Sequence, residues 1–440
     1  MQPDERYRFG PFILDTGAMA LMRGDRQIEL RPKAFETLLM LLRCAGHVLT
    51  KDELVAGVWP DVIVNDDALA QCVRDVRHAL QDSDQHYIRT VLRRGYVFVH
   101  PTVREQPEHS RRSSPIATNS DALRAYLRGR HGWAQRSESG MRQAIGHFHE
   151  AIALDAGLAV AHSGLADCYV SLGKASQMPP AEAFPAARRH AIKALELDPG
   201  MAEPRASLGF VKLYFDWDWP GAEAEFQQAV AADPHYSLSH EWYSVFLLII
   251  GRSVQAMHEI QLAHRLDPLS VAINSTLAFH QYYAGYYQEA AKHFAMTLEM
   301  NREFSPAHLW LGRTYQELGL FDQALEQFQW VEERSPHWCV VVAARGFLAG
   351  LMGRKPDALQ ALAELEDSAS RSFVTPYSMA LVHAGLKDND SALNWLKVSF
   401  DQRSNWLVWL RIDPRWNNLR SDSRFSELVT SMQFPARAMH

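Results

Sequence analysis

Cysteine is scarce in this chain, with four residues among 440, and no two of them form a CxxC pair. A zinc site built on paired cysteines and a disulfide framework are therefore both unexpected. Long apolar runs are also missing, since the strongest, VFLLII, is far shorter than the roughly 20 residues that cross a bilayer. Basic residues are not in excess either: the formal net charge is -6, which argues against a uniformly basic nucleic-acid coat protein.

Signatures of catalysis are missing as well. The segment around Lys174 lacks the earlier glycine and the following hydroxyl residue of a phosphate-binding loop, and no GxSxG motif occurs. His258 and His264 do not have the spacing of a two-histidine zinc helix. We therefore expect no enzymatic activity, no cofactor and no metal site. A cytoplasmic location is expected, because neither a signal peptide nor a membrane anchor is recognisable.

The first hundred or so residues of the chain show patterns typical of both strands and helices. RFGPFILD and AMALMRG predict two short strands, and the turn at Gly24 and Asp25 leads into a third. Three helices should follow, the second opened by Thr50 and Glu53 at the spacing of a capping box. A two-stranded hairpin, Ile88 to Val99, should close the region. In the third helix, DDALAQCVRDVRHAL, the apolar stripe that should face the core consists of Leu69, Val73, Val76 and Leu80.

The remainder predicts a linker followed by a helical repeat. Residues 105–120 are rich in proline, serine and arginine without periodicity, which is typical of a linker. From residue 121 onward, small residues recur every 34 positions, the clearest being Ala222, Ala256, Ala290, Ala324, Ala358 and Ala392. The segment Leu311 to Pro336 resembles the tetratricopeptide (TPR) pattern most closely. The repeats should therefore stack into a superhelix over residues 121–404, followed by a C-terminal capping segment over 405–440.

Residues 7–100 resemble the OmpR/PhoB-type winged-helix DNA-binding domain. The resemblance rests on LRPKAFETLLMLL, LTKDELVAGVWPD, LAQCVRDVRHAL and IRTVLRRGYVFV, which occur in the order of the family domain. It implies an α+β N-terminal winged helix-turn-helix domain, residues 1–104, followed by an all-α TPR superhelix (α-solenoid). This arrangement is similar to that of HilA-type activators. No phosphoacceptor domain is expected ahead of the winged helix, and no transmembrane helix is expected after it.

The resemblance also implies which helix would read DNA. The third helix would be the recognition helix, and its outward residues Gln71, Arg74, Arg77 and His78 would face the major groove. Asp75, where the family often has a basic residue, is expected to pair with a neighbouring arginine.

The hairpin would be the wing of the domain. Arg93 and Arg94 would lie at its exposed tip beside the DNA backbone or the minor groove, Gly95 would allow the tight turn, and Tyr96 would anchor the ribbon. The alternative is a solvated surface hairpin with no specific contact. Two residues at the start of the second helix are expected to contact phosphates, namely Thr50 and Lys51.

TPR stacks usually bind peptides or proteins in the groove lined by the first helix of each repeat. The family's groove positions correspond here to Tyr214, Phe279, Tyr282, Tyr283, Arg313 and Gln316. Aromatic residues of this kind are efficient contact anchors. The alternative is that they fill the core between repeats.

Together these patterns predict a sequence-specific transcriptional regulator that binds double-stranded DNA and is associated with the nucleoid. Its repeats would sense a signal, bind a protein or peptide partner, or help the chain to form a homodimer; no membrane is expected as a partner. The alternative is a TPR scaffold whose winged helix docks protein rather than DNA. The balanced charge of residues 1–104, with 14 basic and 14 acidic residues, keeps this alternative open.

Overall fold

The computed structural model describes residues 6–16, 20–24, 26–28, 30–45, 48–58, 66–82, 84–91, 95–100, 102–105 and 119–435. The chain forms two compact units, Met1–Ser113 and Ser114–His440. Each unit has its own hydrophobic core. In the part of the chain that is described, no helix is long and apolar enough to cross a membrane.

The first unit combines two antiparallel sheets with three helices, which confirms the predicted α+β class. Its strands, β1 to β8 in chain order, are Arg6–Phe9, Phe12–Asp15, Ala20–Arg23, Arg26–Ile28, Val48–Thr50, Ile88–Val91, Gly95–Phe98 and Val103–Glu105. Its helices are α1 (Pro32–Arg43), α2 (Lys51–Val58) and α3 (Asp66–Leu80). One sheet has the strand order β4-β3-β2-β1-β8, and the other has the order β5-β7-β6.

The prediction of three strands before the first helix is wrong. RFGPFILD forms two paired strands, β1 and β2, because the chain turns at Gly10 with a φ of +53°. Two other strands are not predicted at all: β5 pairs with β7, and β8 pairs with β1. Each has three residues, which is too short for an alternation of apolar and polar residues to show.

The helices of the first unit pack through the apolar positions that their periodicity predicts. The four stripe residues of α3 are at most 2% exposed. They share a core with Phe35 and Leu38 of α1 and with Phe98 of β7. Burying an apolar side chain of this size contributes about 1.5–3 kcal/mol, so this core fixes α3 with one face inward and the opposite face outward.

The second unit is a stack of helix pairs. Its helices, α4 to α20, are Ser120–Ala134, Glu138–Leu154, Ala159–Lys174, Pro180–Leu197, Glu203–Val211, Trp219–Ala232, Ser237–Ile249, Ser253–Leu266, Val271–Tyr283, Tyr287–Met300, Ser305–Glu317, Phe321–Arg334, Cys339–Leu351, Lys355–Ala369, Pro376–Gly385, Asn389–Asp401 and Ser423–Ser431. A π-helical turn, Lys212–Asp216, extends α8. Two short 3-10 turns, Asn405–Trp409 and Pro414–Trp416, lie between α19 and α20. Helices α4 to α19 form successive antiparallel pairs, which confirms the predicted TPR superhelix.

The residues that recur every 34 positions have distinct structural roles. The six alanines lie in the second helix of a pair and are fully buried, which allows the two helices to approach closely. Gly251, Gly285, Gly319 and Gly353 lie in the turn between the helices of a pair, with φ between +73° and +86°. Glycine adopts this left-handed conformation without strain. The period therefore marks the turns as well as the packing.

The superhelix turns far enough for distant repeats to touch. Trp338, just before α16, donates its indole N–H to the carbonyl oxygen of Ala175, just after α6, at 2.7 Å. The first helices of the pairs consequently line a common inner face.

Candidate functional site

The outer face of α3 carries polar side chains opposite the buried stripe. Arg74 and His78 are exposed, whereas Gln71 and Arg77 are half-buried. Because successive residues of a helix are rotated by about 100°, Gln71, Arg74 and His78 share one face. Arg77 lies toward one edge of that face.

A chain of hydrogen bonds runs along this outer face. Arg74 donates to Oε1 of Gln71 at 2.7 Å, and Nε2 of Gln71 donates to Oδ1 of Asp75 at 2.8 Å. Asp75 also pairs with Arg31, at the start of α1, with 3.4 Å between Oδ2 and Nε. The arginine beside Asp75 therefore comes from another element, and its charge compensates a carboxylate that would otherwise repel a nearby phosphate.

Arg77 connects the third helix to the hairpin. Its NH2 group donates to the carbonyl oxygen of Ile88 at 2.8 Å and to Oγ1 of Thr90 at 3.0 Å. Both acceptors belong to β6, the first strand of the hairpin. These contacts give Arg77 a positioning role that its place in the sequence does not indicate, while Arg74 extends from the outer face of α3.

The hairpin pairs Ile88 with Phe98 and Val91 with Gly95. Gly95 is the first residue of β7 and also pairs with Thr50 of β5. A Cβ atom here would lie 1.9 Å from the carbonyl oxygen of Leu49, and the backbone has a φ of +147°. The close approach of β5 therefore requires glycine at this position. The turn residues 92–94 lie outside the described residues, so the part of Gly95 in the turn stays a prediction.

The remaining wing residues differ in how far they are described. Tyr96 is half-buried and packs against the core of the first unit. Arg93 and Arg94 lie outside the described residues, so their place at the tip of the wing stays a prediction.

Thr50 and Lys51 lie at the start of α2, and both are exposed. The backbone N–H and the hydroxyl of Thr50 donate to Oε2 of Glu53 at 2.8 and 2.9 Å, and the N–H of Glu53 donates to the Thr50 hydroxyl at 3.2 Å. This geometry confirms the capping box. The hydrogen bonds from Thr50 hold the pKa of Glu53 below its ordinary value. A phosphate bound at this helix end would therefore lie close to a carboxylate.

Asp82 is a structural residue of this region that the sequence analysis missed. Its carboxylate, which is 3% exposed, accepts hydrogen bonds from the backbone N–H groups of His86, Tyr87 and Ile88, the last two at 3.0 and 2.9 Å. These bonds order the chain between α3 and the hairpin. An aspartate directly after a helix, in QDSDQHYI, is the only signal that indicates such a loop contact.

The residues predicted for the TPR groove lie in different environments. Tyr214, Phe279 and Tyr283 contact or line the inner face of the superhelix. Tyr282 is 1% exposed and belongs to a core between helices. Gln316 is 5% exposed and donates to Oε1 of Glu317 at 3.0 Å.

Arg313 is buried between two indole rings. Its guanidinium lies 4.4 Å from the ring centroid of Trp310 and 5.1 Å from that of Trp406. None of its side-chain nitrogens has a hydrogen-bond partner among the described residues. Burial lowers the pKa of Arg313 to about 10, and the two indole rings are favourable neighbours for its charge.

The C-terminal segment, residues 405–435, covers part of the inner face. Trp409 stacks on Tyr283 with 4.9 Å between ring centroids and lies edge-on to Phe279 at 5.0 Å. Nδ2 of Asn405 donates to the carbonyl oxygen of Lys174 at 2.8 Å. The same segment also contacts the last helix pair, since the Trp416 indole donates to the Tyr377 hydroxyl at 2.7 Å. It therefore does more than cap the stack, a role that the tryptophans of NWLVWL could have indicated.

Comparison with known proteins assigns the first unit. Residues 25–98 match the family described as "Transcriptional regulatory protein, C terminal". Transcriptional regulator HilA of Salmonella typhimurium is 32% identical over 105 residues, which cover 24% of this chain and 19% of that protein. Transcriptional activator CadC of Escherichia coli is 32% identical over 114 residues, which cover 24% of this chain and 22% of that protein. The chain thus matches about a fifth of the length of these relatives.

A further relative is a tetratricopeptide repeat protein by name, and it matches the second unit's class of fold. Human tetratricopeptide repeat protein 6 is 25% identical over 186 residues, which cover 42% of this chain and 34% of that protein. The helix pairs, their 34-residue period and this likeness agree with one another. The chain therefore consists of an OmpR/PhoB-type winged-helix DNA-binding domain followed by a superhelix of tetratricopeptide repeats.

Proposed function

We propose that this chain is a sequence-specific DNA-binding transcriptional regulator of the nucleoid, and that its TPR repeats supply the input. The observation that carries the proposal is the outward face of α3, where Gln71, Arg74 and His78 stand opposite a fully buried stripe. Arginine can bond guanine through two hydrogen bonds, and glutamine can bond adenine in the same way. The relatives that match this region are transcriptional regulators, which supports the same conclusion.

The other residues of the predicted DNA-binding site have secondary roles in the proposal. Arg77 would set the angle between the recognition helix and the wing. Arg93 and Arg94 would lie beside the DNA backbone or the minor groove, and Thr50 and Lys51 would contact phosphates without reading sequence.

A protein or peptide partner on the inner face of the repeats remains part of the proposal. A partner that contacts Phe279, Tyr283 or Arg313 would have to displace Trp406 and Trp409, which already cover them. We also propose that two copies bind tandem half-sites, spaced by about one turn of DNA. Sedimentation of the chain with duplexes that carry one or two half-sites would test this stoichiometry.

A charge-reversing substitution on α3 distinguishes DNA binding from the scaffold alternative. Fluorescence anisotropy of the full chain with a labelled duplex pool should show affinity that falls steeply with salt, because bound phosphates release counterions. Arg74→Glu should weaken binding by about tenfold or more, since it places a negative charge against the duplex. Arg26→Glu, on the edge strand β4, is the matched control and should have a much smaller effect. A folded chain that retains no DNA would favour the scaffold.

A further inference from the structure

The inner face of the superhelix forms a cavity of about 210 Å³ that is partly open to solvent. Residues from the first to the sixth helix pair contribute to its wall, together with Trp338 just before α16, and the C-terminal segment closes one side through Asn405, Trp406 and Trp409. A cavity of ~150 Å³ takes up benzene, so this one has room for a ring and a small polar group.

The wall of the cavity is strongly aromatic. Its largest surfaces come from indole and phenyl rings on five different elements, namely Trp242, Phe279, Trp310, Trp338, Trp406 and Trp409. Rigid aromatic walls favour a flat apolar group and hold it at low entropic cost.

One carboxylate in the wall has an unsatisfied oxygen. Glu241 is 5% exposed, and its Oε1 accepts a hydrogen bond from the Thr276 hydroxyl at 2.7 Å. Its Oε2 is buried without a hydrogen-bond partner among the described residues. A buried carboxylate oxygen of this kind is costly unless a donor reaches it, and the cavity is the space from which a donor can come.

Two basic side chains line the same cavity, and neither forms an ion pair with a carboxylate among the described residues. The side chains of Lys174 and Arg136 form no hydrogen bond or ion pair with any described residue. They lie on rings instead, Lys174 5.4 Å from the centroid of Phe210 and Arg136 3.7 Å from that of Trp133. Burial lowers the pKa of both groups, and the charge of Glu241 raises it, so the three charges act on one another through space.

The remaining charged residue of the wall already has an ion-pair partner. Glu138 is paired with Arg142 at 2.9 Å, and both are partly exposed. The unsatisfied groups are thus two cations and one carboxylate around an aromatic space. A matching ligand carries a carboxylate for the cations, an N–H donor for Glu241 and a ring for the walls.

We propose that this cavity binds a free α-amino acid with an aromatic side chain. The carboxylate would lie toward Lys174 and Arg136, the ammonium group would donate to Oε2 of Glu241, and the ring would lie among the indoles. Because the wall joins early repeats to the C-terminal segment, the bound amino acid would hold that segment on the inner face. The cavity lies in the second unit, whereas the proposed DNA-reading face of α3 lies in the first.

Calorimetric titration of the full chain tests the proposal with five probes. L-tryptophan should bind, whereas tryptamine, which lacks the carboxylate, and indole-3-propionate, which lacks the ammonium group, should each bind about tenfold more weakly or worse. Glycine, which lacks the ring, should not bind. Absence of L-tryptophan and L-phenylalanine binding at millimolar concentration would overturn the proposal, and so would equal affinity for tryptophan and indole-3-propionate.

Two variants separate ligand contact from loss of structure. Glu241→Gln should weaken tryptophan binding by about tenfold without weakening the binding of indole-3-propionate, whereas a disturbed cavity would weaken both. Glu289→Gln, an exposed glutamate on α13, is the matched control and should bind like the original chain. The Arg74→Glu chain should bind tryptophan normally, so failure of this proposal and failure of DNA binding are distinguishable.

Discussion

The guanidinium of Arg77 donates a hydrogen bond to the carbonyl oxygen of Ile88 at 2.8 Å. This bond joins the last turns of α3 to β6, the first strand of the hairpin. The two elements that we propose contact DNA are therefore connected directly as well as through the core beneath them. Arg74, one turn earlier on the same helix, has no such bond to the hairpin among the described contacts and extends from the outer face.

This difference predicts distinct outcomes for the two arginines. Arg74→Ala should cost about 1–3 kcal/mol of binding free energy and relax the preference at one base pair. Arg77→Ala should weaken binding to all sequences by a similar factor, because the wing loses its attachment to α3. Affinities of both variants for an operator and its single-base changes, measured by anisotropy, would show the contrast. A preference relaxed by Arg77→Ala and unchanged in Arg74→Ala would reverse this assignment.

The contact between Gly95 and β5 predicts a large effect from one methyl group. Gly95→Ala would place Cβ 1.9 Å from the carbonyl oxygen of Leu49, so β5 and β7 must separate, and we expect a loss of about 3 kcal/mol or more. Gly24→Ala is the matched control, since its φ is +58° but nothing lies within 4 Å; it should cost about 1 kcal/mol. Hydrogen exchange of peptides from β5 and β7 measures both. Equal protection in the two variants would contradict the close approach.

The C-terminal segment predicts a stability effect inside the second unit. Trp409 is 4% exposed and contacts Tyr283 and Phe279, so Trp409→Ala should lower the free energy of unfolding by about 3–5 kcal/mol. Trp330→Ala is a suitable control, because Trp330 is only half-buried and its described ring contacts are with His308 and Arg334 rather than with the C-terminal segment. Denaturant unfolding followed by circular dichroism compares the two. A similar small loss in both variants would show that the segment is not packed on the inner face.

A buried carboxylate predicts a dependence of stability on pH. Asp167 is 1% exposed and accepts a hydrogen bond from Ser207 at 2.7 Å. Burial raises its pKa from an ordinary value of 3.8 to about 6, although Arg130 and the Ser207 bond act in the lowering direction. The folded chain therefore holds this proton more tightly than the unfolded chain does, and stability from it is lost as pH rises from about 4 to about 6.

Asp167→Asn should remove this dependence, because asparagine does not titrate. The stability of the variant relative to the original chain should grow between pH 4.5 and pH 7 by about 2 kcal/mol. Unfolding midpoints of both chains across this range measure the difference. A difference that is constant with pH, or one that shrinks as pH rises, would contradict the raised pKa.

Periodic sequence patterns predicted most of the fold. The elements that depend on short tertiary contacts could not be predicted in this way. The stripe of α3 and the recurrent alanines of the repeats are long signals, because many residues must share one face or one spacing to bury a core. Strands β5 and β8 have three residues each and exist because β7 and β1 offer them backbone partners. Such pairing depends on tertiary structure, which a local pattern does not show.

The candidate site was also predictable only in part, because some of its contacts depend on tertiary structure. The outward residues of α3 follow from its buried stripe, but the bond from Arg77 to Ile88 depends on where the hairpin lies. The inner cavity joins Arg136, Glu241 and Trp409, which are far apart in sequence and meet only because the superhelix turns back on itself. Nothing in the local sequence around Glu241 indicates that one of its oxygens is unsatisfied.

The central claim is that the first unit reads a DNA sequence. In vitro selection of the full chain on random duplexes, at near-physiological salt and with the Arg74→Ala chain in parallel, tests it most directly. We predict that the original chain enriches a defined motif, arranged in tandem, and that Arg74→Ala loses preference at one position of it. Retention of duplexes without any enriched motif, by protein shown to be folded, would contradict sequence-specific recognition.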